Sequence, residues 1–486
     1  MTVEETMEDV AYGYLNELVE RCVLQISEQG SVRKIKSCHL HDLMRDLCLE
    51  KAKQENFLQN VNFSRQNMTP ISSSMVANAA ATVKVRRLAI YLDENADELV
   101  PLRNHNDSHL RSLLYFYPGY YWILRNERLV GLLFKKFKLL QVLKLEWLRT
   151  PVELPNEIGN MVHLRFLSLH GSHITRYPSS LGKLICLQTL DLRFCDSNVI
   201  PDVIWKMTQL RHLYLPLYWT AEPKLRLSTL HNLQTLNHVS SLCSDLNDLS
   251  QLRNLRKLGI RVTSSLENLE ETLESLSNIL NGIRSLFLHN LLGDDSGTEV
   301  TQILSCCRNM YKLNLNGRTV ELPNYLHDYP NLTKITLVRC DLKDNQMALL
   351  EKLPNLKTLG LMEQTFEYKN TNTLVFSKGG FPHLECLKLI CIEEGEAEHL
   401  KVEEGALPSL CRLYIQRCWG LKTIPDGMRY VSTLKKLTVE MPSSFVSRLQ
   451  VGGEDYYKIQ HVPSARSLTR YQKHCICFRL DTEARS

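Results

Sequence analysis

No window of about 18 uncharged apolar residues occurs in this chain, so no transmembrane span is expected. The first ten residues, MTVEETMEDV, are acidic and lack an apolar core, so they do not read as a secretory signal. No Cys-x-x-Cys pair and no Cys/His set at zinc spacing is present. His474-Cys475-Ile476-Cys477 comes nearest to a ligand cluster and stands alone, so no metal is expected there. Nor does any Gly-x-x-x-x-Gly-Lys-[Ser/Thr] run occur, the loop whose backbone N–H groups cradle phosphates. With no nucleophile–base constellation either, an enzyme reading has no motif to rest on. A dominant charge is missing too. The formal net charge is +5 over 486 residues, too thin a balance to argue for nucleic acid or a membrane surface.

What is present is leucine at a fixed period. Met161 to Cys195 contains Leu164-x-x-Leu167-x-Leu169 and, 23 residues on, Leu187-x-x-Leu190-x-Leu192. Between them Pro178 and Gly182 break the chain. A strand, a turn and a return segment cannot bury their own apolar face, so the unit has to recur. It starts fifteen times, at Val85, Leu110, Leu140, Leu164, Leu187, Leu210, Leu233, Leu255, Ile283, Met310, Leu332, Leu356, Leu384, Leu410 and Leu434. Most steps are 22 to 28 residues; the step of 30 from Leu110 to Leu140 implies a small insertion. The expected fold is an α/β solenoid, a leucine-rich-repeat horseshoe of about 15 repeats over residues 85–440 with parallel strands on its concave face. Fifteen strands at about 4.8 Å give an inner arc of roughly 70 Å.

Several return segments carry an early proline: Pro155, Pro178, Pro201 and Pro425. Ser265 to Leu280 reads as a helix on the convex side. The fifteen cysteines are odd in number and scattered. Cys195, Cys340 and Cys418 each stand three residues past the last apolar strand position. There a small buried donor satisfies turn carbonyls. The expectation is reduced thiols in a cytoplasmic protein. Without a signal peptide, the glycosylation triplets at Asn62, Asn67, Asn106 and Asn331 read as chance.

Residues 1–58 are not repeats. A helix over Asp9–Arg21, a strand over Cys22–Ile26, a turn at Glu28–Ser31, a returning strand to Leu40 and a helix opened by Asp42 as its N-cap are expected. Leu43, Met44, Leu47 and Cys48 form the apolar stripe of that second helix. Helix, hairpin, helix is the C-terminal part of a winged-helix domain, too short for an independent core, so its beginning is expected to lie elsewhere. Residues 59–84, rich in Asn, Ser and Ala, read as a linker, and 441–486 as a polar tail.

HLHDLMRDLCLEKAKQENF, from His39 to Phe57, resembles the end of the winged-helix domain of plant intracellular nucleotide-binding leucine-rich-repeat immune receptors of the coiled-coil class. Leu40-His41-Asp42 stands where that family has Met-His-Asp. YGYLNELVERCVLQ, the proline-bearing repeats and GEDYYKIQHVPS are also similar, so that the resemblance covers most of residues 4–464. It implies coiled-coil and nucleotide-binding domains upstream, and a role for His41 and Asp42 as a nucleotide-state latch. Without the phosphate cradle one histidine cannot hold ADP or ATP, no ATP hydrolysis is expected, and the pair reads as a helix cap in a domain fragment.

The recognition surface is expected on the concave face, at Lys144, Glu146, Trp147, His170, Arg193, Phe194, Tyr214, Arg339, Arg417 and Trp419. Arginine and aromatics are the residue types that dominate interface energetics. The acidic run Glu393 to Glu398 reads as a solvated loop. The leading function is an immune receptor whose repeats bind a pathogen effector, a guarded host protein or the receptor's own upstream domains, with no nucleic acid. The second is a free-standing protein-interaction scaffold, which has no use for half a switch domain. An extracellular ectodomain lacks its signal peptide and capping cysteines.

Overall fold

The structure is a computed structural model. It describes residues 7–29, 35–63, 85–92, 109–116, 133–148, 151–195, 199–240, 242–262, 269–290, 297–317, 322–340, 342, 344–363, 373–392 and 399–467. The acidic run at 393–398, most of the expected linker and His474–Cys477 lie outside the described residues. The chain divides into two compact units, Met1–Leu233 and Gln234–Ser486.

The first unit opens with α1 (Met7–Glu20), an antiparallel hairpin of β1 (Leu24–Gln29) and β2 (Ile35–Leu40), and α2 (Asp42–Gln54). The Tyr12 hydroxyl accepts the Ile35 N–H at 2.7 Å, tying α1 to the hairpin. Asp42 is not the N-cap. The cap is His41, with no side-chain cap bond, and Asp42 is the first helical residue. Its carboxylate meets Arg45 at 3.2 Å, one turn on, where helix geometry brings i and i+3 together. No residue of α2 is buried; Leu43 and Leu47 of the expected stripe are 76% and 50% exposed.

A parallel stack follows: β3 (Gln59–Phe63), β4 (Arg87–Leu92), β5 (Ser112–Phe116), β6 (Val142–Leu145), β7 (Phe166–Ser168), β8 (Thr189–Asp191) and β9 (His212–Tyr214). Each strand pairs with the next in chain order. β3 corrects the expected linker, whose first five residues join the sheet. The second unit repeats the arrangement with β10 (Thr235–Ser240), β11 (Lys257–Val262), β12 (Ser285–Asn290), β13 (Lys312–Asn316), β14 (Lys334–Val338) and β15 (Thr358–Met362). β16 (Cys386–Ile390), β17 (Arg412–Gln416), β18 (Lys436–Glu440) and β19 (Ser464–Ser467) complete it. All fifteen motif starts lie two residues ahead of a strand. β19 stacks on β18 in parallel register, so repeats continue past Glu440 into the expected tail.

The periodic leucines explain the stack. Leu164, Leu167 and Leu169 are all fully buried, as are Leu187 and Leu190. Each contributes on the order of 2 kcal/mol, available only when a neighbouring repeat covers it. Pro155, Pro178 and Pro425 stand at extended φ immediately ahead of single 3-10 turns, 156–160, 179–183 and 426–430, whose Ile158, Leu181 and Met428 fill the interior. Pro201 is displaced, because Val203 precedes its turn at Ile204–Lys206. Longer return segments hold full helices: α3 (Leu269–Gly282), α4 (Gly297–Cys306) and α5 (Asp344–Glu351).

The repeat's turn is closed by the expected donors. The thiols of Cys195, Cys340 and Cys418 are all directed at a carbonyl of the preceding repeat: Leu169 at 3.0 Å, Leu315 at 3.6 Å and Leu389 at 3.3 Å. Ser172 holds the same place with a hydroxyl that donates to the Leu145 carbonyl at 3.0 Å and accepts the Leu148 N–H at 3.1 Å.

The C-terminal end is closed by charge. After α6 (Ser443–Arg448), Lys458 Nζ meets Asp426 at 2.8 Å and Asp455 at 2.7 Å, and donates to the Ile424 carbonyl at 2.8 Å. Three donors of one ammonium thus find three acceptors, and Asp455 also accepts from Arg448 at 2.7 Å. Burial alone would lower the Lys458 pKa; the bonds to the two carboxylates outweigh it and raise it.

Candidate protein-recognition surface

Between the buried leucines the strands present two rows of side chains, at the fourth and sixth positions after each motif start, and a third row at the seventh. The third row is set by the backbone. Trp147, Phe194, Arg339, Glu363, Cys391 and Arg417 have φ between +43° and +63°, and Gly171 and Gly317 hold the same position at +66° and +137°. That turn aims each N–H at the next repeat: Trp147 N donates to the His170 carbonyl at 2.9 Å, Gly171 N to Arg193 at 2.8 Å and Arg417 N to Glu440 at 2.8 Å. Glycine adopts φ > 0 freely, whereas a bulky residue there costs about 1–2 kcal/mol. A large aromatic or charged side chain at such a place is a choice against stability.

In the first unit these rows form one connected chain of side chains. The rings of Tyr91 and Phe116 stack at 4.7 Å. Lys144 lies 5.1 Å over Phe116 and pairs with Glu146 at 3.0 Å, and Glu146 accepts the Ser168 hydroxyl at 2.6 Å. Trp147 meets His170 edge-on at 5.2 Å, and His170 meets Phe194 at the same distance. Arg193 grips Asp191 through Nε at 3.0 Å and Nη2 at 2.6 Å, and its guanidinium lies 4.4 Å over Tyr214. The hydrogen bond to Asp191 raises the arginine pKa against the opposing effect of burial. Tyr214 lies 6.4 Å from His212, whose Nε2 is 3.3 Å from Glu8 of α1. Burial works to raise the Glu8 pKa, but hydrogen bonds and the charges of His212 and Arg211 bring it below its ordinary value.

Seven of the residues expected from sequence, Lys144, Glu146, Trp147, His170, Arg193, Phe194 and Tyr214, are brought together here. Tyr91, Phe116, Asp191 and His212 belong to the same chain and were not picked out; index within the repeat is the signal that finds the first three, whereas His212 stands two positions after its motif start, outside those rows. Arg339 and Arg417 belong to the second unit, where they pair with Glu363 at 2.5 Å and Glu440 at 2.8 Å. Trp419 follows the buried Cys418 and falls outside the strand rows, 42% exposed. His41 and Asp42 are both exposed at the start of α2.

Known proteins are similar over both parts of the chain. The disease resistance protein winged helix domain family matches residues 2–48, and the leucine-rich repeat region family matches residues 109–454. The chain is 34% identical over 467 residues to the probable disease resistance RPP8-like protein 2 of Arabidopsis thaliana, covering 95% of this chain and 49% of that protein. It is 35% identical over 473 residues to the probable disease resistance protein At1g58390 of the same plant, covering 96% and 49%. The chain thus spans about half the length of the curated relatives it matches. A solved internalin from Listeria monocytogenes aligns at 15% identity over 66% of this chain and 84% of its own, with a TM-score of 0.38, a likeness too loose to add to the strand register.

Proposed function

The chain belongs to the plant disease-resistance proteins that join a winged-helix segment to leucine-rich repeats, and on that premise we propose that it is the recognition part of an intracellular immune receptor. Its ligand is a protein, either a pathogen effector or a host protein under guard, and its place of action is the cytoplasm. The observation that carries this reading is the aromatic and cationic chain from Tyr91 to Tyr214, with Phe194 62% exposed at its centre. Rigid aromatic anchors flanked by arginine are the composition of an interface hot spot. The free-standing scaffold is less favoured, because the winged-helix match gives the chain part of a switch. His41 and Asp42 serve as a nucleotide-state latch only where a phosphate-cradling domain precedes them.

The test is site-specific photo-crosslinking in plant leaf cells, with the photoreactive residue at position 147 or at the exposed His163, which lies off the rows. The expected result is a protein adduct at 147 on pathogen challenge and none at 163. Equal adducts at both positions would sink the assignment of the surface.

A further inference from the structure

A different row of the second unit carries a charge pattern that the aromatic chain does not explain. Where each repeat enters its strand, one carbonyl accepts two N–H groups from the next repeat. Arg256 O accepts from Arg284 and Ser285 at 2.8 and 3.2 Å, Arg284 O from Tyr311 and Lys312 at 2.8 and 3.3 Å, and Thr333 O from Lys357 and Thr358 at 2.8 and 3.0 Å. This forked ladder fixes one entry site per repeat, in register, along β11 to β15. The side chains it carries there are Arg256, Lys257, Arg284, Lys312, Lys334 and Lys357, partly or fully exposed. No carboxylate stands at these positions in the five repeats. The first is Glu385, entering β16, which pairs with Lys357 at 3.2 Å and ends the row. Six of the chain's 58 lysines and arginines stand at the two entry positions of these five repeats.

The geometry points to a docking edge for an α-helix that carries a stripe of glutamates or aspartates, supplied by a protein partner. Spacing selects the helix. The row advances by about 4.8 Å per repeat. One face of an α-helix offers a side chain about every 5.4 Å, so over four steps the two drift apart by roughly 2.4 Å, within reach of a lysine. An extended chain offers same-side residues about every 6.8 Å and falls about 8 Å out of step over the same distance. Single-stranded nucleic acid would call for aromatic platforms between the cations, and Tyr311 alone stands in the row. A bilayer would call for apolar side chains to insert, and the row has none.

The inference rests on the reading of the repeats as a protein-recognition module but uses none of the aromatic chain's residues. The experiment measures fluorescence anisotropy with the full chain at low and moderate salt. The probes are a labelled alanine-based helix of about 18 residues with glutamates on one face at alternating three- and four-residue spacing, a peptide of equal composition with the glutamates spread around the helix, single-stranded DNA of about 20 nucleotides, and phosphatidylserine vesicles. The striped helix should bind at least about tenfold tighter than the spread one, and tighter than DNA or vesicles. The Arg284→Gln, Lys312→Gln, Lys334→Gln triple variant should lose about tenfold, while Lys312→Arg with Lys334→Arg keeps the affinity. Equal binding of the two peptides by the unmodified chain, tighter binding of DNA or vesicles, or a folded triple variant with unchanged affinity overturns the proposal. Trp147→Ala should leave the striped helix bound, so a failure here is distinguishable from a failure of the aromatic surface.

Discussion

The indole of Trp147 lies across the α-carbon of Gly171, the residue at the equivalent position one repeat on, and a Cβ on that glycine would overlap its ring carbons. Both residues have left-handed backbone, at +63° and +66°. The pair shows how the surface is built: one repeat gives up a side chain so that the neighbouring ring can lie over its backbone, edge-on to His170. Gly171→Ala should therefore cost about 2–3 kcal/mol, roughly 1 from backbone strain and the rest from the displaced indole. In a Trp147→Ala background the clash disappears and the cost should fall to about 1 kcal/mol. Urea midpoints of the four proteins in this cycle give the coupling; strict additivity would mean that the ring does not lie on the glycine.

Phe194 occupies the same left-handed position two repeats after Trp147, at φ +56°, and is 62% exposed. It gains little from burial and bears backbone strain. Phe194→Gly should leave stability unchanged within about 0.5 kcal/mol or raise it. The same substitution should reduce photo-crosslinking at position 147 about tenfold, since His170 and the anchor beside it lose their ring contact. A stability loss above about 1 kcal/mol in a denaturant titration would make Phe194 a packing residue instead.

The strands were legible because leucine marks them. β3 and β19 were not, because the residues in register with Leu88 and Leu437 are Gln59 and Ala465. The leucine signature is broken there, although Val61 and Phe63 still pair with Ile90 and Leu92, and only the stacking of a neighbour reveals the strands. The left-handed row was hidden for another reason: Trp, Phe, Arg, Glu and Cys at one repeat position do not announce a φ that glycine would adopt freely. Within the recognition surface, Trp147 and Arg193 stood out by residue type, whereas Tyr91, Phe116 and Asp191 needed the repeat index. The segment GEDYYKIQHVPS could be matched to a family but not explained, since two of the three partners of its Lys458, Asp426 and the Ile424 carbonyl, lie more than thirty residues back. Asp42 misled because aspartate favours both the N-cap and the first helical turn.

Lys458 supplies the next prediction. Its side chain and that of Asp455 are 8% and 4% exposed, and the ammonium also holds the Ile424 carbonyl. Lys458→Met leaves Asp455 with Arg448 alone and the carbonyl without its donor. The expected cost is about 3 kcal/mol, because removing one partner strands a buried charge. Asp426, which is 69% exposed, matters less, and Asp426→Asn should cost under about 1 kcal/mol. The check is the urea midpoint, together with hydrogen exchange at β19. Exchange there should quicken in Lys458→Met and stay near its original rate in Asp426→Asn.

His289 makes the second unit sensitive to acid. It is 3% exposed on β12, and burial, with the nearby charges of His238, Arg261 and Arg339, lowers its pKa from 6.5 to about 4. Above pH 6.5 the imidazole is neutral in both folded and unfolded chains and contributes no pH dependence. Below pH 6.5 the unfolded chain takes up a proton that the folded chain refuses, so stability falls with pH and the loss is complete by about pH 4. The full loss is on the order of 3 kcal/mol. Replacing the group with one that does not titrate, His289→Gln, should remove that slope whatever it does to stability at neutral pH. Thermal melts of both proteins between pH 7 and pH 4 measure it, and subtracting one curve from the other cancels the remaining histidines. The difference curve should descend toward acid and level off near pH 4. A flat difference would place His289 in water, with the ordinary pKa of an exposed imidazole.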